Sequence, residues 1–264
     1  MFPKEYFGYH PPAGFNMSCL RTDNLSPSLL GKISPFFHEI LKDSAAEIHS
    51  LYLVGSVLTE DYREGVSDIN SIIVLQQMNL AFLDILAPLG KKYGKQGIAV
   101  PLIMDPAYLH NSLDVFPIEF LNFKLVHHAL YGEDLLAGVE IDKKELRLQC
   151  EREIKGKLIW LHKIYVSAMG DKKVLAADIV SHFRGYLPLF RGILHLLGQA
   201  PPPGLKKAVD RLFKLTGTET QVFEEIHAIK QNPTKPSPEE ISQLFGKFYQ
   251  ATAKLAEVVD GIQS

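Results

Sequence analysis

The residues with an evident chemical use are concentrated between Leu51 and Leu75, in the stretch LYLVGSVLTEDYREGVSDINSIIVL. An apolar run, Leu51 to Val54, ends in Gly55-Ser56, and Asp68 and Asn70 open a second apolar run, Ile69 to Leu75. Gly55 has no side chain to hold a phosphate away from the backbone. Ser56 offers a hydroxyl and a main-chain N–H where a helix is expected to begin, and helix starts attract anions. Asp68 and Asn70 are two apart, so on a strand their side chains leave by the same face. Two oxygen donors held in that way grip a hard cation such as Mg²⁺. The pattern suits the handling of a phosphate together with a divalent cation.

Those residues need a sheet to hold them, and the sequence supplies one. Leu51–Val54 and Ile69–Leu75 read as strands, with further strand candidates at 98–104 and 118–123. A helix is expected from Ser34, as cap, and Pro35, at the first helical position, with Phe36, Phe37, Ile40, Leu41, Ala45 and Ile48 as its apolar stripe. A second helix is expected over 80–93. Strands mixed with helices in this order predict an α/β or α+β sheet domain. Before it, residues 1–28 are rich in proline, glycine and aromatic rings and are expected to form an irregular arm.

From about residue 143 the period becomes helical throughout. Cys150, Ile154, Leu158, Leu161, Tyr165 and Ala168 share one face, and a second stripe runs from Ile179 to Leu197 with a kink expected at Pro188. Pro201-Pro202-Pro203-Gly204 breaks the chain, and Ser237-Pro238-Glu239-Glu240 is a capping box opening a last helix. The expected organisation is therefore a sheet domain over 1–142 and an antiparallel helical bundle over 143–264.

Composition narrows the classes. Of 264 residues, 46% are hydrophobic and 22% charged, and the net charge of −2 excludes a strongly basic nucleic-acid binder. Residues 1–142 carry nine Lys/Arg against seventeen Asp/Glu, and residues 143–264 carry nineteen against thirteen. Either two domains have different surfaces, or an acidic, cation-holding half is matched by a basic half that neutralises phosphate. Cys19 and Cys150 are too few for a disulfide framework or a zinc cluster, no run is long and apolar enough for a membrane span, and no apolar signal core opens the chain. A reducing, cytoplasmic setting is expected.

The Gly-Ser followed by Asp-x-polar resembles the signature of the polymerase-β-like nucleotidyltransferases, in which Gly-Ser precedes Asp-x-Asp or Asp-x-Glu. The superfamily includes aminoglycoside nucleotidyltransferases. The segments Asp114 to Leu121 and Leu130-Tyr131-Gly132-Glu133-Asp134 are also similar to bacterial nucleotidyltransferase-domain proteins of uncharacterised substrate. The resemblance covers roughly residues 45–140 and implies an α+β fold with a mixed sheet followed by a helical bundle. It also implies transfer of a nucleoside monophosphate from a nucleoside triphosphate to a hydroxyl acceptor, with Mg²⁺ as cofactor, in a cleft between the two domains. Gly55 and Ser56 then match the nucleotide-binding positions, and Asp68 the first metal-binding carboxylate. Asn70 stands where the second is expected. Glu119 is the expected third acidic residue, as metal ligand or as the base that activates the acceptor, with Asp105 as its competitor. The acceptor is not specified, and a homodimer through apolar bundle faces is compatible with the superfamily.

Asn70 is the main departure, because its amide brings no charge where the family has a carboxylate. Three readings follow: an enzyme working with Asp68 and Glu119 on one cation, a nucleotide-binding protein without turnover, or a protein that has lost nucleotide function and kept only the fold; a rival from another class is a partner-binding protein on the same scaffold. His127-His128 is expected to be a surface or packed pair. The basic stretch Lys143–Lys173 reads as a solvated helix face, with Arg152, Lys155 or Lys157 facing phosphates as the sharper alternative. Trp160 is expected in the core. Arg191 and His195 are closer in sequence than the Arg–His pairs of some helical ribonucleases and carry no expectation of that activity.

Overall fold

The computed structural model describes residues 20–231 and 236–263, so most of the expected N-terminal arm lies outside the described residues. The chain divides into two compact units, Met1–Ser112 with Val126–Val139, and Leu113–Leu125 with Glu140–Ser264. The segment Leu113–Leu125, expected within the first domain, thus groups with the helices that follow.

The first unit opens with α1, Pro27–Ser44, earlier than the expected start at Ser34 and Pro35. Ser26-Pro27 offers the same signal eight residues upstream: the Ser26 hydroxyl accepts from the Leu29 N–H at 3.3 Å, and Leu29 and Ile33 extend the buried stripe. Pro35 is accommodated inside the helix. Then come β1 (Ile48–Val54), a single 3-10 turn (Gly55–Leu58), β2 (Asn70–Leu75), α2 (Ala81–Gly94), β3 (Leu102–Met104) and α3 (Pro106–Asn111). The unit closes with β4 (His127–Gly132), whose end is the apolar-Tyr-Gly step noted in the sequence. The sheet order is β3-β2-β1-β4; β1 is antiparallel to β2 and β4, and β3 is parallel to β2.

Alternation sorts this sheet into two faces. Leu51, Leu53, Ile69, Ile73 and Leu75 share a core with Ile33, Phe36 and Ile40 of α1 and Phe82 and Leu86 of α2. Tyr52, Val54, Ile72 and Val74 point the other way and are buried as well. Over that second face the Tyr52 hydroxyl donates to the Glu133 carbonyl at 2.6 Å and accepts from the Leu135 N–H at 2.8 Å, tying down the segment after β4.

The second unit is helical: α4 (Pro117–Leu125), α5 (Lys143–Ser167), α6 (Lys172–His182), α7 (Tyr186–Leu196), α8 (Leu205–Thr216), α9 (Gln221–Gln231) and α10 (Pro238–Asp260). The strand expected over 118–123 is α4. Its Ile, Phe and Leu content favours strands, but Pro117 presets the first helical position and Ile118 and Leu121 bury at helical spacing. The single kinked helix expected over 179–197 is two helices, separated where Gly185 takes φ of +80°, and Pro188 sits in the first turn of α7. Asp142 and Asp171 cap α5 and α6, and the expected capping box at Ser237 and Glu240 opens α10. Among the described residues no helix is long and apolar enough to cross a membrane.

Cys150, Ile154, Leu161 and Ile164 of α5 form the helical core with Ile179, Phe190, Phe248 and Leu255. One buried cation braces it. Arg191 on α7 donates from Nη1 to Asn122 Oδ1 at 2.7 Å, from Nε to the Pro202 carbonyl at 3.2 Å, and from Nη2 to the Pro203 carbonyl. It thereby joins α7 to α4 and to the proline-rich break. Arg191→Leu leaves those acceptors without their donor and is expected to cost about 3 kcal/mol in a denaturant titration.

Burial also sets a pH response. His49 and His195 are held below the usual imidazole range chiefly by desolvation, with Glu133 opposing the shift at His49 and Lys143 and Lys124 adding to it at His195. The unfolded chain then binds more protons than the folded one below about pH 6.5, so stability is full above that value and falls as pH is lowered through the depressed folded pKa values. Thermal unfolding between pH 7.5 and 5 is expected to show this loss, and the double variant His49→Gln/His195→Gln is expected to flatten it.

Candidate functional site

The antiparallel pairing of β1 and β2 sets Val54 opposite Asn70. The chain leaving β1 and the chain entering β2 therefore share one end of the sheet. Gly55 follows Val54 with φ of +80°, a conformation that costs a side-chain-bearing residue about 1–2 kcal/mol. A Cβ on Gly55 would stand 3.9 Å from Asn70 Nδ2, so the Asn70 amide lies beside the glycine turn. The Gly55 N–H donates to the Val126 carbonyl at 3.2 Å and is engaged within the sheet. The helix expected after Ser56 is only the Gly55–Leu58 turn, too short to act as a helix terminus for an anion. Thr59 secures that turn, its N–H and hydroxyl donating to the Ser56 carbonyl at 2.8 and 3.1 Å. The half-buried Ser56 keeps its hydroxyl without a hydrogen-bond partner among the described residues.

Ile69 bridges to Ile98 and belongs to the core on the α1 and α2 side of the sheet. By alternation, Asp68 and Asn70 leave by the opposite face, and both are exposed. The Asp68 carboxylate has neither a hydrogen bond nor an ion pair among the described residues. Gly55, Ser56, Asp68 and Asn70 are thus gathered at one sheet end.

Of the two candidates for the third carboxylate, Asp105 does not join them. Asp105 follows β3, which runs parallel to β2 with Ile72 beside Leu102 and Val74 beside Met104. It therefore lies at the far end of β2, some five residues or roughly 17 Å along the strand from Asn70. There it caps α3, Oδ1 accepting from the Tyr108 N–H at 2.7 Å and Oδ2 from the Met78 N–H at 3.3 Å. Glu119 is on a helix of the second unit and not on a strand. Its Oε2 accepts from Gln149 Nε2 at 2.8 Å, while Gln149 Oε1 accepts from the Ile118 N–H at 2.7 Å. The nearby Cys150 thiol is pushed up to about 12 by burial, with Glu153 and Glu119 adding to the shift. Glu119 is accordingly part of the α4–α5 packing.

The donors that the first unit gathers at this sheet end suit one cation. Mg²⁺ is commonly held by one or two carboxylates, with phosphate oxygens and waters completing its shell. Asp68, with the Asn70 amide oxygen, meets that requirement. A two-cation centre needs carboxylates enough to hold both ions, and among the described residues no three His, Cys, Asp or Glu side chains form a metal-holding group. His127, expected to be a bland surface or packed residue, opens β4 opposite Val54 and pairs with Asp134, Nε2 to Oδ1 at 3.0 Å. Their spacing in sequence gave no signal of this, because the link depends on the fold of residues 133–139.

No protein-family model and no curated protein matches the sequence. Among solved structures, the chain is similar to spectinomycin adenyltransferase AAD(9) from Enterococcus faecialis, crystallised with ATP and spectinomycin. The two are 12% identical with a TM-score of 0.48, over 86% of this chain and 98% of that one.

Asn70→Asp supplies a second carboxylate two residues from Asp68. In a thermal-shift assay, millimolar Mg²⁺ is expected to raise the Tm of this variant more than that of the wild type, and Asp68→Ala is expected to abolish the rise in both backgrounds. Equal responses in all forms would mean that no cation sits between these positions.

Proposed function

We propose that the protein is nucleotidyltransferase-like and binds a nucleoside triphosphate together with one Mg²⁺ at the Gly55-Ser56 turn, with transfer of the nucleoside monophosphate to a hydroxyl acceptor impaired. One observation carries this reading. The Val54–Asn70 pairing brings a phosphate-compatible turn and an unpaired Asp68 to the same sheet end, with the Asn70 amide in place of a second carboxylate. Ser56 is assigned to a phosphate oxygen, Asp68 to the cation, and Asn70 to either through its amide. Transfer requires in-line attack of the acceptor oxygen on the α-phosphorus as the bond to pyrophosphate breaks. That step depends on positioning and on neutralising charge at both oxygens, and one carboxylate supports it poorly.

A second reading, an active transferase with a single cation, is favoured by the exposed and unpaired state of Asp68. Calorimetric titration with ATP, with and without Mg²⁺, alongside an assay for pyrophosphate release, separates the two. The proposed function predicts Mg²⁺-dependent ATP binding without pyrophosphate release, weakened at least about tenfold, or ~1.4 kcal/mol, by Asp68→Ala. Pyrophosphate release that disappears in Asp68→Ala would establish the active enzyme. Absence of binding by any nucleoside triphosphate would remove both readings.

A further inference from the structure

A cavity of about 410 Å³ lies within the second unit, among α5, the turn joining α6 to α7, and α10. Its size is in the usual range for small-molecule sites. Three cations line it, Arg152, Lys157 and Arg184, against one carboxylate, Glu153. None of the three cations has an ion pair among the described residues. Two other cations of α5 are matched: Arg147 pairs with Glu151 at 3.1 Å, and Lys155 pairs with Glu151 at 2.6 Å and Asp260 at 3.0 Å. The positive charge at the cavity is therefore a local excess.

Lys157 is held in place without being neutralised. Its Nζ donates to the Arg184 carbonyl at 3.1 Å and sits 4.4 Å from the centroid of the Tyr186 ring. The turn that presents that carbonyl depends on Gly185, at φ of +80°, where a Cβ would stand 3.4 Å from the ammonium. Desolvation lowers the Lys157 pKa, with Glu153 opposing, so its charge is one that a bound anion would stabilise.

The same cavity has an aromatic wall. Trp160 is 50% exposed and not in the core as the sequence suggested; its ring lies 5.4 Å from that of His182, and the Lys163 ammonium sits 4.4 Å from its centroid, so a ring stacked on that face would displace Lys163. An exposed indole beside unpaired cations offers a planar group a stacking surface and an anion a charge partner.

We propose that this cavity is a binding site for a small phosphomonoester whose other end is a planar ring, with the phosphoryl group at Lys157, Arg152 and Arg184 and the ring against Trp160 and His182. The proposal is independent of the nucleotide site in the first unit. Trp160 is the only tryptophan in the chain, so intrinsic fluorescence reports on this cavity directly.

The full chain is titrated with AMP, phenyl phosphate, adenosine and inorganic phosphate. AMP and phenyl phosphate are expected to give saturable changes with Kd at or below ~1 mM, and adenosine and inorganic phosphate to bind at least about tenfold more weakly. Lys157→Met and Arg152→Gln are each expected to raise the Kd at least about fivefold. Asp68→Ala is expected to leave the titration as in the wild type, which separates this cavity from the other site. Arg152 is exposed, so its variant remains informative should Lys157→Met fold poorly. No saturable change with either phosphomonoester, equal affinity for adenosine, or an unchanged Kd in Arg152→Gln would overturn the proposal.

Discussion

The register of β1 against β2 is the constraint from which the candidate site follows. With Val54 opposite Asn70, the fifteen residues from Gly55 to Ile69 must return the chain to the sheet end it has just left. Whatever ends β1 and whatever opens β2 are then neighbours. A one-residue slip would turn Asn70 and Ile72 toward α1 and α2 and expel Ile69 and Ile73 from the core. The burial of those isoleucines therefore fixes which polar residues emerge beside Gly55. The apolar face and the polar site are set by one pairing.

The same topology limits the charge available there. Because β3 runs parallel to β2, the acid after its last residue is carried to the opposite end of the sheet, where Asp105 serves as a helix cap. The residues that lie alongside the opening of β2 are Gly97, Ile98 and Ala99, which bring no carboxylate. Glu119 is engaged with Gln149 on the second unit. Asp68 stands in the first unit beside an amide that can accept toward a cation or donate toward a phosphate. A cluster of carboxylates repels a triphosphate unless metal neutralises it. One carboxylate and one amide repel it less and hold cations less well. The proposed binding with impaired turnover rests on this exchange.

Much of this was legible because it rests on short-range rules. The strand–Gly-Ser–strand segment shows two short apolar runs, one ending in Gly-Ser and the next opened by Asp-x-Asn, and both can be read from residues alone. The capping box at Ser237 is equally local. Segments 26–35 and 117–125 misled for a physical reason: each holds two competing signals. Ser26-Pro27 and Ser34-Pro35 are equivalent starts, and the decision falls to whether Leu29 and Ile33 find a core to enter. Ile118, Phe120 and Leu121 suit a strand or a helix, and Pro117 together with packing against α5 decides for the helix. Trp160 was misplaced because an apolar stripe gives the buried face of a helix but not how wide that face is.

The charge asymmetry of the chain also becomes more specific once the helices are in place. An excess of six positive charges over residues 143–264 suggests a diffuse basic surface. On α5 it is divided by face. Arg147, Glu151 and Lys155 follow one another at four-residue steps and satisfy each other, the arrangement of a solvated helix surface. Lys157, one step round the helix from that series, instead meets a backbone carbonyl and an aromatic ring, with Arg152 and Arg184 near it and Glu153 as the one acid lining the cavity. Exposed ion pairs contribute little to stability, so pairing all of these cations would have cost the fold almost nothing. Leaving three of them unmatched around one cavity, next to the only tryptophan, is an arrangement that folding does not require and that an anionic ligand would complete.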